Sequence, residues 1–209
     1  MAITIEAWFD YRCPLSMLTR RLLTPVAASH GATLRWHPHE KQGGQSWDPV
    51  PSARVWRHGV RPLAERLGVT VSERQPAPAS DYRLAFHGYQ FALDQGRAEA
   101  YGDEVFAARF VAGLDLGDPQ VLTAAAQRAG LAGPEFRAAV RSEHYADRHR
   151  AALVAGCGHG PVRLTPTTVI GDRRIEGVPD LAQLDRLLTR AQLTAPAAPV
   201  ATSEAVLLG

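Results

Sequence analysis

The chain has 209 residues, 45% of them hydrophobic and 21% charged, the composition of an ordinary globular protein able to bury a sizeable core. The net charge of +2, with arginines scattered at Arg20, Arg54, Arg97, Arg137 and Arg186 and Lys41 the single lysine, argues against a nucleic-acid footprint. No apolar run has the length of a membrane span, the first residues lack the basic and apolar regions of a signal peptide, and two cysteines are too few for a disulfide framework. A soluble protein of the reducing cytoplasm is expected, in which a cysteine is kept for reactivity or packing.

Ile3, Ile5 and Ala7 alternate with Thr4, Glu6 and Trp8, the period of a strand, and the run stops at Asp10. Pro14 opens a helix with Leu15, Leu18, Leu22, Leu23 and Val26 on one face; Pro25 should kink or end it, and Gly31 stops it. Ala32 to His37 reads as a second strand closed by Pro38. Gly43 to Pro51 is irregular, a crossing point between two lobes. A mostly helical stretch follows: 55–67, then a Pro-rich loop over 75–80. Next come a helix with the stripe Tyr82, Ala85, Phe86, Tyr89 and Leu93, and another over 98–111. Asp118-Pro119 caps a helix that ends at Gly130, Pro134 starts another, and 145–155 is the last of the block. Thr167 to Ile170 is β-branched, Gly171-Asp172 is a hairpin turn, and Arg173 to Glu176 is the partner strand. Leu181, Leu184, Leu187 and Leu188 mark a final helix.

Strand–helix–strand, a helical block, then hairpin–helix is the order of an α/β thioredoxin-like fold with a helical domain inserted after the second strand. The expected domains are a discontinuous thioredoxin-like unit over 1–45 and 146–193, a helical insertion over 46–145, and a flexible tail over 194–209.

Chemistry concentrates at Phe9-Asp-Tyr-Arg-Cys-Pro-Leu-Ser16. A thiol at a helix start meets unpaired N–H groups and the positive end of the macrodipole, which favour thiolate. Arg12 adds a positive charge beside it, and Ser16, three residues on, is placed to donate to the sulfur. Cys13 is therefore the expected nucleophile, with a lowered pKa, against the alternative of a buried inert cysteine. Leu164-Thr165-Pro166 precedes a β-branched strand, the place where thioredoxin-like folds carry a cis proline facing the thiol, and a cis Thr165–Pro166 bond is expected from that likeness. Tyr11, Arg12, Pro14, Thr165, Pro166 and His37 are the expected pocket residues, although Tyr11 and His37 also suit plain packing. Cys157, in a Gly-rich loop, is more readily a bystander than a resolving thiol. His144, His149 and His159 lack the spacing of metal ligands, and no metal is expected.

Over about residues 3 to 190 the sequence resembles the DsbA family, in the branch of FrnE-like proteins, 2-hydroxychromene-2-carboxylate isomerases and kappa-class glutathione transferases. Phe9-Asp10 with Cys13-Pro14, Leu34 to Pro38, Asp81 to Ala92, Phe106 to Phe110, Gly117 to Leu122, Thr165-Pro166 and Gly177-Val178 carry the likeness. Ser16 stands where FrnE-like proteins have a second cysteine, Cys13 where the isomerases and transferases usually have serine, and Phe86 where the branch commonly has histidine. The resemblance implies a thiol enzyme working by mixed-disulfide chemistry through one cysteine, since Ser16 cannot resolve a mixed disulfide. It also implies two rivals: an isomerase or transferase dependent on a small thiol and acting on an aromatic or polyketide-like molecule, or a redox-dead binding relative. No tightly bound cofactor is expected beyond a low-molecular-weight thiol of the glutathione or mycothiol type. The expected partner is a small-molecule or thiol substrate, not nucleic acid or membrane, and a homodimer is left open.

Overall fold

A computed structural model describes residues 3–40, 53–72 and 81–194. The segments expected as the lobe crossing, the Pro-rich loop and the tail lie outside the described residues, apart from Thr194. The elements run β1 (Thr4–Phe9), α1 (Pro14–Ser29) and β2 (Thr33–Pro38), then α2 (Ala53–Val55), a π turn (Trp56–Val60) and α3 (Arg61–Arg66). They continue with α4 (Arg83–Asp94), α5 (Ala98–Phe110), α6 (Pro119–Arg128), α7 (Gly133–Val140), α8 (Glu143–Ala155) and a 3₁₀ turn (Gly156–His159). The chain closes with β3 (Thr167–Ile170), β4 (Arg173–Glu176) and α9 (Leu181–Thr194).

The four strands form one sheet in the order β2-β1-β3-β4. β1 and β2 are parallel, with Ala7 opposite Trp36; β3 returns antiparallel, with Ala7 opposite Thr168, and β4 pairs antiparallel with β3. This is the thioredoxin-like α/β fold, with the helical block inserted between β2 and β3. β1 is central and covered on both faces, so Trp8 is as buried as Ala7, although alternation alone would put it outside. The hairpin turn is as expected: Gly171 takes φ +60°, the left-handed geometry that a two-residue turn needs at its first position.

Pro25 does not end α1, which runs through to Ser29. Arg21, whose carbonyl loses its donor at Pro25, lies with it on the exposed side of the helix, where water can replace the missing N–H. α6 begins as read: the Asp118 carboxylate accepts from the Gln120 N–H, with Pro119 in the first turn. The lobes meet in an aromatic core. Phe9, at the end of β1, packs on Tyr11, Phe86, Tyr89 and Phe106 with ring centroids 5.1 to 6.1 Å apart. The turn leading to Cys13 is thus laid over a rigid floor shared by both lobes. Among the described residues, no helix is long and apolar enough to cross a membrane.

Candidate active site

β1 ends at Phe9, and the chain turns at once. The Cys13 N–H donates to the Asp10 carbonyl at 2.9 Å, closing a four-residue turn, and the Ser16 N–H donates to the Cys13 carbonyl at 3.0 Å. Cys13 has an extended backbone at the N-cap of α1, and Pro14 occupies the first helical position, where no N–H is needed. The Cys13 thiol is part-exposed and donates to the Thr165 carbonyl at 3.1 Å. The Thr165–Pro166 bond is cis, as expected. Ser16 is fully buried; its hydroxyl accepts from the Asp10 N–H at 3.4 Å, which leaves its hydrogen free to point at the sulfur.

The structure thus brings Cys13, Pro14, Ser16, Thr165 and Pro166 together. It corrects the electrostatic expectation. Burial pushes the Cys13 thiol above its ordinary value; the Ser16 hydroxyl and N–H pull it down, and the nearby Asp10 carboxylate raises it again. The balance leaves the Cys13 pKa raised, with burial the largest cause. Arg12 does not serve the sulfur directly either. Its backbone N–H donates to Asp10 Oδ1 at 2.8 Å, its Nε to the same oxygen at 3.3 Å and its Nη2 to Oδ2 at 2.9 Å. The guanidinium lies 4.0 Å over the Tyr82 ring. Asp10 is only 5% exposed, and burial pushes its carboxyl up against the opposing pull of Arg12.

Two expected pocket residues sit elsewhere. Tyr11 is completely buried among Phe9, Phe86 and Phe106, its hydroxyl without a partner among the described residues, because the turn directs it into the aromatic floor. His37 is engaged with Glu6 at 2.5 Å and stacked on Trp8 at 4.9 Å. It lines a separate cleft of about 690 Å³ between the β2 edge and the start of α5. The Cys157 side chain lies outside what is described.

Four residues were not read from the sequence as belonging to the site or its surroundings: Asp10, Tyr82, Glu40 and His149. An aspartate three positions before a cysteine is a turn signal that could have been used for Asp10. Glu40 leaves β2 and meets the buried His149 of α8, Nε2 to Oε2, at 3.3 Å. They are 109 residues apart in sequence, and no local pattern joins them.

The arrangement of strand, thiol turn, helix and cis proline against one sulfur agrees with comparisons to known proteins. The model of the DsbA-like thioredoxin domain matches residues 4–189. The chain belongs to the DsbA-like thioredoxin family. The uncharacterized protein YwbO of Bacillus subtilis (strain 168) is 31% identical over 182 residues, covering 85% of this chain and 91% of YwbO. A probable DsbA oxidoreductase from Streptomyces coelicolor shares the fold at TM-score 0.77 and 21% identity, over 95% of this chain and 93% of that one. A 2-hydroxychromene-2-carboxylate isomerase does so at TM-score 0.75 and 21% identity, over 92% of this chain and all (100%) of that one. The cytosolic disulfide reductase DsbM of Pseudomonas aeruginosa, solved with GSH, has TM-score 0.64 and 17% identity, over 91% and 98% of the two chains.

Proposed function

We propose that this DsbA-like protein is a thiol enzyme working through Cys13 alone, by mixed-disulfide exchange with a low-molecular-weight thiol of the glutathione or mycothiol type. One observation carries the reading: the Cys13 sulfur sits 3.1 Å from the Thr165 carbonyl, with Ser16 in the place where a resolving thiol would act. As thiolate, Cys13 attacks one sulfur of a small disulfide; its own S–S bond forms, the old one breaks, and the departing thiolate takes up a proton. Ser16 has no sulfur with which to expel the bound half, so a second small thiol must attack that half's sulfur: a new small disulfide forms and departs as the Cys13 S–S bond breaks, and Cys13 leaves as thiolate, ready for another turn. The Ser16 hydroxyl and N–H, which pull the Cys13 pKa down, support the thiolate that reacts. The reducing cytoplasm would supply such a thiol.

Incubation with oxidised glutathione, followed by intact mass and peptide mapping, tests this. One persistent glutathione adduct on Cys13 is expected, with a lifetime that Ser16→Cys shortens. A rapid Cys13–Cys157 disulfide would replace the single-thiol cycle with a dithiol one.

A further inference from the structure

We propose that Tyr82, from the inserted helical lobe, is a positioning residue for the thiol turn: its ring clamps the Arg12 guanidinium onto the Asp10 carboxylate, so that Cys13 meets a paired carboxylate rather than a bare one. This rests on the reading above of Cys13 as the reacting thiol.

The four-residue turn that the Cys13 N–H closes on the Asp10 carbonyl keeps Asp10 and the thiol together. Within it, Arg12 turns one edge of its guanidinium to both Asp10 oxygens, Nε to Oδ1 at 3.3 Å and Nη2 to Oδ2 at 2.9 Å. A fork of this kind holds only while the long arginine side chain keeps one rotamer, and in open water such pairs are weak. Here the guanidinium also lies over the Tyr82 ring, 4.0 Å from its centroid. A guanidinium is weakly hydrated and stacks well on an aromatic face, so the ring holds the fork and keeps water from one side of it.

Tyr82 is itself anchored from behind. Its carbonyl accepts from the Ala85 N–H at 3.0 Å where α4 begins, and its ring meets Phe86 edge-on at 5.9 Å. Phe86 packs on Phe9, the residue before Asp10, at 6.0 Å. Phe9, Asp10, Arg12, Tyr82 and Phe86 thus close a circuit that spans both lobes, and Tyr82 is where the inserted lobe reaches the charges of the turn.

The other groups facing the clamp are the same in every variant below. Asp10 also faces His39 beyond β2, Arg12 and Tyr82 face Glu40, and Tyr82 faces Arg83, which is bound to Asp81. Cys13 faces Ser16, Asp10 and Thr165, and the Asp10 charge opposes its thiolate. Burial pushes the Tyr82 phenol well up; burial draws Arg12 down, and its bond to Asp10 more than restores it, so neither side of the clamp titrates near neutrality.

The test is the rate of alkylation by iodoacetamide, read on the Cys13 peptide from about pH 7 to about pH 10, above the ordinary imidazole range. The proteins are folded wild type, Tyr82→Phe, Tyr82→Leu, Arg12→Gln and the double variant Tyr82→Leu/Arg12→Gln. Tyr82→Phe, which keeps the ring, should follow wild type. Tyr82→Leu should react about 2 to 5 times more slowly near pH 7, with the deficit shrinking as the thiol ionises. In Arg12→Gln, with no charge left to clamp, Tyr82→Leu should change nothing. A Tyr82→Leu profile superimposed on wild type, a deficit constant with pH, or the same deficit in Arg12→Gln overturns the proposal. Should Tyr82→Leu not fold, Tyr82→Trp takes its place: its larger face should leave the rate near pH 7 at or above that of wild type, and a slower rate overturns the proposal. A glutathione adduct on Cys13 with superimposed profiles keeps the single-thiol reading and sinks the clamp; a deficit that depends on Arg12, without an adduct, does the reverse.

Discussion

Two carboxylates belong to the same strand segment and meet opposite fates. Glu6, inside β1, reaches across to His37 and Arg35 of β2, at 2.5 and 3.7 Å, and ties two parallel strands together. Asp10, just beyond the end of β1, pairs with Arg12, and its carbonyl accepts from the Cys13 N–H. Both carboxylates are themselves little exposed, at 14% and 7% of their side chains. What separates them is the backbone: a strand fixes the partner of Glu6 by register, whereas a turn closed on the Asp10 carbonyl places the carboxylate within the field of Cys13. A titratable pair next to the active strand is therefore no sign of chemistry by itself. The turn that brings it to the sulfur is.

The largest effect that separates the two regions is loss of the sulfur itself. Cys13→Ala should abolish the glutathione adduct entirely, while Cys157→Ala leaves it in place, as read by intact mass. An adduct that survives Cys13→Ala would move the chemistry out of the thiol turn.

Next comes Asp10→Asn. Asp10 opposes the thiolate, so removing its charge should raise the Cys13 alkylation rate at neutral pH a few-fold, on the order of 3 to 10. The same change has a sign in stability. Burial raises the folded pKa of Asp10 above its unfolded value, so the native state binds the proton more tightly. Stability therefore falls as pH rises from the ordinary carboxyl range through the folded value. Asp10→Asn should remove that fall from a series of denaturant midpoints against pH. An unchanged rate would show that Arg12 already cancels the Asp10 charge at the sulfur, and an unchanged slope that burial does not raise the Asp10 pKa.

Much of this site was legible in the sequence. The strand before Cys13, the proline opening α1, the Ser16 spacing and the β-branched run after Pro166 are local patterns, and local geometry honours them. The remainder was not local. Tyr11 reads as a pocket residue from its place beside the thiol, but its direction depends on Phe86 and Phe106, about 75 and 95 positions away. The raised pKa of Cys13 follows from its burial, which elements as distant as Thr165, 152 residues on, help to create and which no helix-dipole reasoning includes. Pro25 shows the converse: the local rule against proline within a helix yields where the orphaned carbonyl faces water.

A smaller effect is expected at the β2 edge. His37→Ala removes the stack on Trp8 and the bond to Glu6, at a cost of about 1 kcal/mol, the scale of a cross-strand pair with an aromatic contact. Cys13 alkylation should stay within about twofold of wild type, since neither partner of His37 belongs to the thiol turn. A tenfold loss of thiol reactivity in a folded His37→Ala protein would unite the two regions that the structure keeps apart.

The smallest effect on chemistry belongs to Tyr11, and it decides between wall and floor. Its hydroxyl is fully buried and has no partner among the described residues, and burial pushes its pKa far up, so it can neither donate usefully to a substrate nor ionise. An unsatisfied buried hydroxyl costs about 1–3 kcal/mol, whereas the gap left by its removal is one small atom beneath an aromatic ring that stays in place. Tyr11→Phe should therefore leave the melting temperature unchanged or raise it, and leave both the adduct rate and its dependence on disulfide concentration as in wild type. Were Tyr11 part of the pocket wall, the same change would weaken substrate binding at constant stability. The apparent half-saturation for oxidised glutathione, measured beside the melt, distinguishes a floor from a wall: a several-fold increase there would return Tyr11 to the site.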